Sequence, residues 1–253
     1  MKGVILAAGV SSRLRPLTDR VPKCLLEPGG RTILGMTLEN LIANGIRTVI
    51  VVTGYRGDQI RRFISGAFPD LDVVFVHNEC YETTNNSYSL WLTRSAVGTD
   101  DILLLDSDIV FDHRIVGLLM RTPAPTCVAL KRGDSLGEEE IKVQSAPDGT
   151  ILRIGKDVLP GAAAGESIGI EKMSAAYLGP LYRILERTIV GEKRVHLFYE
   201  AAFQDAIDEG EVMTAVDVGD MQCMEIDTPD DFEAAGKMTV RLHGTRPPSG
   251  LLE

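Results

Sequence analysis

The chain has 253 residues, enough to bury a sizeable core, and its apolar (44%) and charged (25%) fractions are those of an ordinary globular protein. A net charge of −10 sets it against general binding to a nucleic-acid backbone. No apolar run approaches the roughly 18 residues of a membrane span, and the scattered cysteines Cys24, Cys80, Cys127 and Cys223 hold no C-x-x-C pair, so neither a zinc site nor a disulfide framework is expected.

Read in chain order, Lys2–Ala7 is apolar with a β-branched pair at Val4-Ile5 and is expected to be a buried strand. Its apolar stretch lacks the basic flank and cleavage site of a signal peptide, and with the unpaired cysteines this makes a reducing cytoplasm the expected setting. The strand runs into Ala7-Ala8-Gly9, then Arg13, Arg15 and Pro22-Lys23. Residues this small leave no side chain between the backbone and a ligand, so N–H groups can approach phosphate oxygens, and a local cluster of cations inside an acidic chain can gather a small anion. The spacing fits neither a dinucleotide fingerprint nor a Walker A loop, and a tight turn with surface arginines would read similarly up to Gly9.

Residues 37–43 follow a helical period closed by Asn44-Gly45, Thr48–Thr53 reads as a strand, 58–68 as a helix and 72–76 as a third strand. A helix over 86–95 and a strand over 102–105 complete the alternation. Continuously apolar strands alternating with helices predict a mostly parallel, Rossmann-like α/β sheet covered on both faces, with ligands beyond the carboxyl ends of the strands. Past residue 125 the pattern changes to a strand over 127–130, a hairpin of 141–143 and 151–153 around Pro147-Asp148-Gly149, and a short strand at Gly169-Ile170. Helices over 175–189 and 199–209 follow, then a strand over 224–226 and a last helix opened by Thr228-Pro229. With no linker and no repeat, one domain over 1–240 with a small mixed β extension is expected, and the Pro/Gly-rich 241–253 reads as a disordered tail. Nothing in the pattern specifies an oligomeric state.

Asp106 and Asp108 fall just past a strand end, where two carboxylates can hold a hard cation such as Mg²⁺ beside substrate phosphates, or where one can cap the next helix. Thr83 to Trp91 (TTNNSYSLW) is rich in short hydrogen-bonding side chains at a helix start and would also serve as a cap and turn. An ammonium ligand would want aromatic faces and a carboxylate, for which Tyr88, Trp91, Tyr199 and Glu200 are candidates, with Trp91 equally at home in the core. Lys142 and Lys156 on or beside the hairpin could each bind an acceptor phosphate or lie solvated at the surface.

The stretch LAAGVSSRLRPLTDRVPKCLL resembles the signature of nucleotidyltransferases that activate sugar 1-phosphates and small phosphorylated alcohols, LAAG-x-x-S-R-L followed by P-K. The resemblance implies that the loop Leu6, Ala7, Ala8 and Gly9 wraps a nucleoside triphosphate, Arg13 holds its outer phosphates and Lys23 contacts the α-phosphate. It also makes Asp108 the metal-binding aspartate with Asp106 in support, and matches Asp227 in Glu225-Ile226-Asp227-Thr228-Pro229 to the distant metal carboxylate. The segment NNSYSL is similar to bacterial choline-phosphate cytidylyltransferases and their phosphonate-activating relatives, which implies CTP as the donor and Asn85, Asn86 and Ser89 near its base and ribose. The similarity runs on through Ser167-Ile168-Gly169-Ile170 and Phe198-Tyr199-Glu200, and an I-G-K segment favours Lys156 for the acceptor phosphate. The expected activity is Mg²⁺-dependent transfer of CMP to a small phosphorylated amino alcohol or phosphonate. A sugar-1-phosphate nucleotidyltransferase using UTP or dTTP, or a non-catalytic nucleotide-binding module, would share the opening loop.

Overall fold

The computed structural model describes residues 1–133 and 136–243. Its frame is a mixed sheet in which four parallel strands carry the N-terminal half: β1 (Lys2–Ala7), β2 (Thr48–Thr53), β3 (Asp72–His77) and β4 (Ile102–Asp106), with β1 between β4 and β2 and β3 outside β2. These strands, β3 apart, are buried almost end to end because helices cover both faces, as their unbroken Val/Ile/Leu runs require. On one face lie α1 (Ile33–Ala43), α2 (Gly57–Ala67) and, beyond the short strand β5 (Ile109–Phe111), α5 (Arg114–Arg121). The other face packs α3 (Asn86–Leu92), α4 (Arg94–Val97), α6 (Ala175–Glu186) and α7 (Tyr199–Asp208).

The second half extends the sheet through one reversed strand. Strand β6 (Cys127–Lys131) joins it through β9 (Gly165–Met173), which runs antiparallel to both β4 and β6. The hairpin of β7 (Lys142–Ser145) and β8 (Ile151–Gly155) hangs from β9, and β10 (Thr214–Asp217) closes the edge parallel to β6. Finally β11 (Cys223–Glu225) pairs antiparallel with β5, leading into α8 (Pro229–His243).

The expected α/β architecture with a small mixed β extension is therefore the one observed. Several boundaries differ. Helix α1 starts at Ile33, because Thr32 Oγ1 accepts from Gly35 N at 3.1 Å and caps it four residues ahead of the expected start. The strand expected at Gly169-Ile170 is nine residues long, with Gly169 at φ +68° where the chain passes Asp106. Strands β5 and β10 and helix α5 were not anticipated. Helix α8 takes in residues 241–243 of the expected tail, and the rest of that tail lies outside the described residues.

Candidate active site

A cleft of about 400 Å³ opens beyond the carboxyl ends of β1 and β4, floored by Leu6, Ala7, Ala8 and Gly9. The loop is held open by main-chain packing: Ala8 accepts from Tyr55 N at 3.0 Å, and a Cβ on Gly54 would come within 2.6 Å of the Ala8 carbonyl. At Gly9 the situation is reversed. A Cβ there would meet nothing within 4 Å, so the fold itself does not require this glycine and its smallness serves the space in the cleft.

Lys23 is carried into the same cleft by a single 3-10 turn at Lys23–Leu25, with only 6% of the residue exposed. Its Nζ donates to Asp108 Oδ2 and to Asp227 Oδ1, each at 2.8 Å. Burial alone would discharge this ammonium, but the two carboxylates more than compensate and hold its pKa above the usual lysine value. The exposed Arg13 donates from Nη2 to Asp227 Oδ2 at 2.8 Å. Burial pulls Asp227 upward, yet Lys23 and Arg13 together keep its carboxyl below the ordinary aspartate range. Residues from positions 13, 23, 108 and 227 thus meet at one point.

Oxygens of Asp108, Asp227 and Glu225 lie within 4.8 Å of one another, a donor set of hard oxygens suited to Mg²⁺. One observation favours a cation here: Asp108 Oδ1 is buried and accepts no hydrogen bond among the described residues. Glu225 is exposed at the surface, yet protein beside its carboxyl, and then the charges of Asp108 and Asp227, push its pKa up to about 8. Glu225 was not among the expected ligands. The signal was present, because residues two apart on an extended strand face the same way, and Glu225 and Asp227 stand at that spacing.

The Asn/Ser segment lies on the wall. Asn85 Oδ1 accepts from Asn86 N at 2.8 Å at the start of α3, Asn86 Oδ1 accepts from Tyr199 N at 2.8 Å, and buried Asn78 donates to Ser89 Oγ at 3.2 Å. Asn85, Asn86 and Ser89 all line the cleft, so they are within the site while also clamping the segment that leads into α7. Lys156 lines the cleft with Nζ 2.7 Å from Glu139 Oε2, and Glu200 lines it from α7. Lys142, by contrast, is buried and donates to the carbonyls of Gly137 and Glu140, away from any acceptor role.

The aromatic cage is not assembled. Tyr88 and Trp91 pack on each other at 5.3 Å between ring centroids, Trp91 Nε1 donates to Glu186 Oε2 at 2.7 Å, and neither is among the cleft-lining residues. Helix α3 turns that face toward α6 and the core. Tyr199 is fully buried, packs on Phe203 at 5.0 Å and contributes its hydroxyl to Asp106 Oδ2 at 2.9 Å.

A small-residue loop at a parallel strand end thus faces a buried lysine and converging carboxylates. Residues 3–177 match the model of the MobA-like NTP transferase domain, and the chain belongs to that family. Among curated proteins it is 29% identical to the CMP-5'-(3-aminopropyl)phosphonate synthase of Streptomyces rubellomurinus over 93% of its own length, spanning 38% of that relative. It is 24% identical to the CTP:phosphoglutamine cytidylyltransferase of Campylobacter jejuni, over 92% of this chain and 98% of that one. Among solved structures, the CTP:phosphocholine cytidylyltransferase of Streptococcus pneumoniae superimposes with a TM-score of 0.77 at 22% identity, covering 94% of this chain and 98% of that one, which establishes the common fold.

Proposed function

We propose that the protein is a CTP-dependent cytidylyltransferase that transfers CMP to a small phosphorylated amino alcohol or phosphonate and releases pyrophosphate. The observation that carries this reading is the meeting of Lys23 with Asp108 and Asp227 at the mouth of the Leu6–Gly9 loop. The cytidylyltransferase names of the relatives support CTP as the donor and a phosphorylated or phosphonate acceptor. All four cysteines are free, which supports a cytoplasmic setting.

In this reading a phosphate or phosphonate oxygen of the acceptor attacks the α-phosphorus in line, one P–O bond forms, and the bond to the β-phosphate breaks. That oxygen is anionic at neutral pH, so no general base is needed and the protein's work is positioning and charge stabilisation. Asp108, Asp227 and Glu225 would hold Mg²⁺, which supplies positive charge to the phosphate oxygens. Lys23 neutralises charge growing at the α-phosphate, Arg13 steadies the departing pyrophosphate, and the amides beyond Leu6 cradle the chain of phosphates. Asn85, Asn86 and Ser89 border the base and ribose, while Lys156 and Glu200 face the acceptor.

Pyrophosphate release from CTP, UTP, dTTP, ATP and GTP crossed with phosphocholine, aminoalkylphosphonates, phosphorylated amino-acid amides and glucose 1-phosphate tests it. Turnover is expected with CTP and a nitrogen-bearing acceptor. Preferential use of glucose 1-phosphate with UTP, or nucleotide binding with no release from any pair, would overturn it.

A further inference from the structure

A second group of carboxylates adjoins the first across Asp106. Glu200, in the first turn of α7, is only 5% exposed, lines the cleft, and its Oε2 has no hydrogen-bond partner among the described residues. Glu171 lies on β9 opposite Leu104 and Val128 and is completely buried; one oxygen accepts from Ser167 Oγ at 3.3 Å and the other has no partner among the described residues. Asp106 follows Leu104 by two residues, so strand alternation puts it on the same face, where Tyr199 bonds it. Three carboxylates therefore gather under α7, and among the described residues the side-chain donors to them are two hydroxyls.

Buried carboxylate oxygens without donors are costly, and a ligand that supplies donors recovers that cost. Lys156, the one cation among the described residues that acts on Glu200, is already engaged with Glu139 and lies 5.0 Å over the Phe198 ring. Burial lifts the Glu200 carboxyl to about 7 against the pull of its own backbone amide and of Lys156.

The kind of cation follows from what the walls lack. A trimethylammonium group has no N–H and is held by aromatic faces, whereas a primary ammonium is a compact charge with donors for several acceptors. Of the rings considered for a cage, Tyr199 is buried against Phe203, and Tyr88 with Trp91 is turned to the core. Two rings do line the cleft: Phe198 has its face under Lys156, and Tyr81 packs beside Gly54 and Tyr55 at the Ala8 end of the cleft.

We propose that the acceptor carries a primary ammonium group that binds Glu200, with Glu171 as a positioning residue behind the wall, and that trimethylated acceptors are disfavoured. The inference rests on the cytidylyltransferase reading for the acceptor's phosphoryl end. Calorimetry with Mg²⁺ and a non-hydrolysable CTP analogue would compare an ω-aminoalkylphosphonate, its N,N,N-trimethyl analogue and the amine-free alkylphosphonate, alongside pyrophosphate release from CTP with each. The amine should bind at least about tenfold more tightly than the other two, as expected for a charged hydrogen bond. Glu200→Gln should collapse that preference, and Glu171→Gln should reduce it. Equal or tighter binding of the trimethyl compound, an undiminished preference in Glu200→Gln, or no binding of the amine would overturn the proposal. If the amine binds with the stated preference yet no acceptor releases pyrophosphate, the ammonium site stands and the cytidylyltransferase reading falls.

Discussion

Lys23 Nζ sits 2.8 Å from Asp108 Oδ2, joining residues 85 apart in sequence and placing an ammonium between two of the three carboxylates suited to a metal. Its role and theirs are separable. Lys23→Met should cut pyrophosphate release by about 100-fold or more, the usual cost of losing a charge-stabilising donor, while Mn²⁺ still binds. Asp108→Asn should abolish both turnover and Mn²⁺ binding followed by electron paramagnetic resonance. If Lys23→Met loses Mn²⁺ as completely as Asp108→Asn does, the lysine belongs to the cation site and its assignment to the α-phosphate is wrong.

Glu225 is the carboxylate that completes the donor set. Fewer charged ligands mean weaker binding of a hard cation, so Glu225→Gln should weaken Mn²⁺ affinity on the order of tenfold. Unchanged affinity in the same titration would leave Asp108 and Asp227 as the only protein ligands.

Two glycines at the cleft should respond oppositely to alanine. At Gly9 the added Cβ meets no protein atom, so Gly9→Ala should keep the thermal midpoint of the wild type but bind CTP at least several-fold more weakly. Gly169 has φ +68°, and its Cβ would come within 2.6 Å of Asp106 Oδ2, so Gly169→Ala should destabilise the fold by about 1–3 kcal/mol in urea titration. Full-strength CTP binding by Gly9→Ala would show that the loop does not approach the phosphates closely.

These contrasts mark what the sequence carries. The parallel half was legible because its strands are unbroken apolar runs, and Arg13, Lys23, Asp108 and Asp227 were legible because ordered motifs hold them. Strand β5, three residues long, and β10, only half-buried, are defined by their pairing with β11 and β6, which no local period announces. Helix α5 has only eight residues and follows directly on β5, so it goes unannounced with that strand. Trp91 looked equally apt for a ligand and for the core, and only the packing of α3 against α6 decides between them. Glu171 was invisible for a related reason: a glutamate in a strand normally faces solvent, and the burial of this one follows from β9 lying between β4 and β6.

The buried carboxylate at Glu200 also makes stability depend on pH. Its ordinary value of 4.5 applies in the unfolded chain, and about 7 in the fold, so between these values the folded state binds more protons than the unfolded one. Stability contributed by this group is therefore full below about pH 4.5, declines as pH rises toward 7 and levels off above it. Asp106 and Glu171 bear on the same cluster and Lys156 opposes them, but comparing wild type with Glu200→Gln at each pH isolates the one residue. The variant should melt at nearly the wild-type temperature at pH 5 and higher by roughly 5 °C at pH 8, where it escapes a cost on the order of 2–3 kcal/mol. A lower midpoint at pH 8, or a difference that does not change with pH, would show that Glu200 is satisfied in the fold by something other than a bound proton. The expected outcome sets stability against function in a single side chain: the glutamine that relieves the fold also removes the partner proposed for the acceptor's ammonium, as is common where a buried charge is kept for binding.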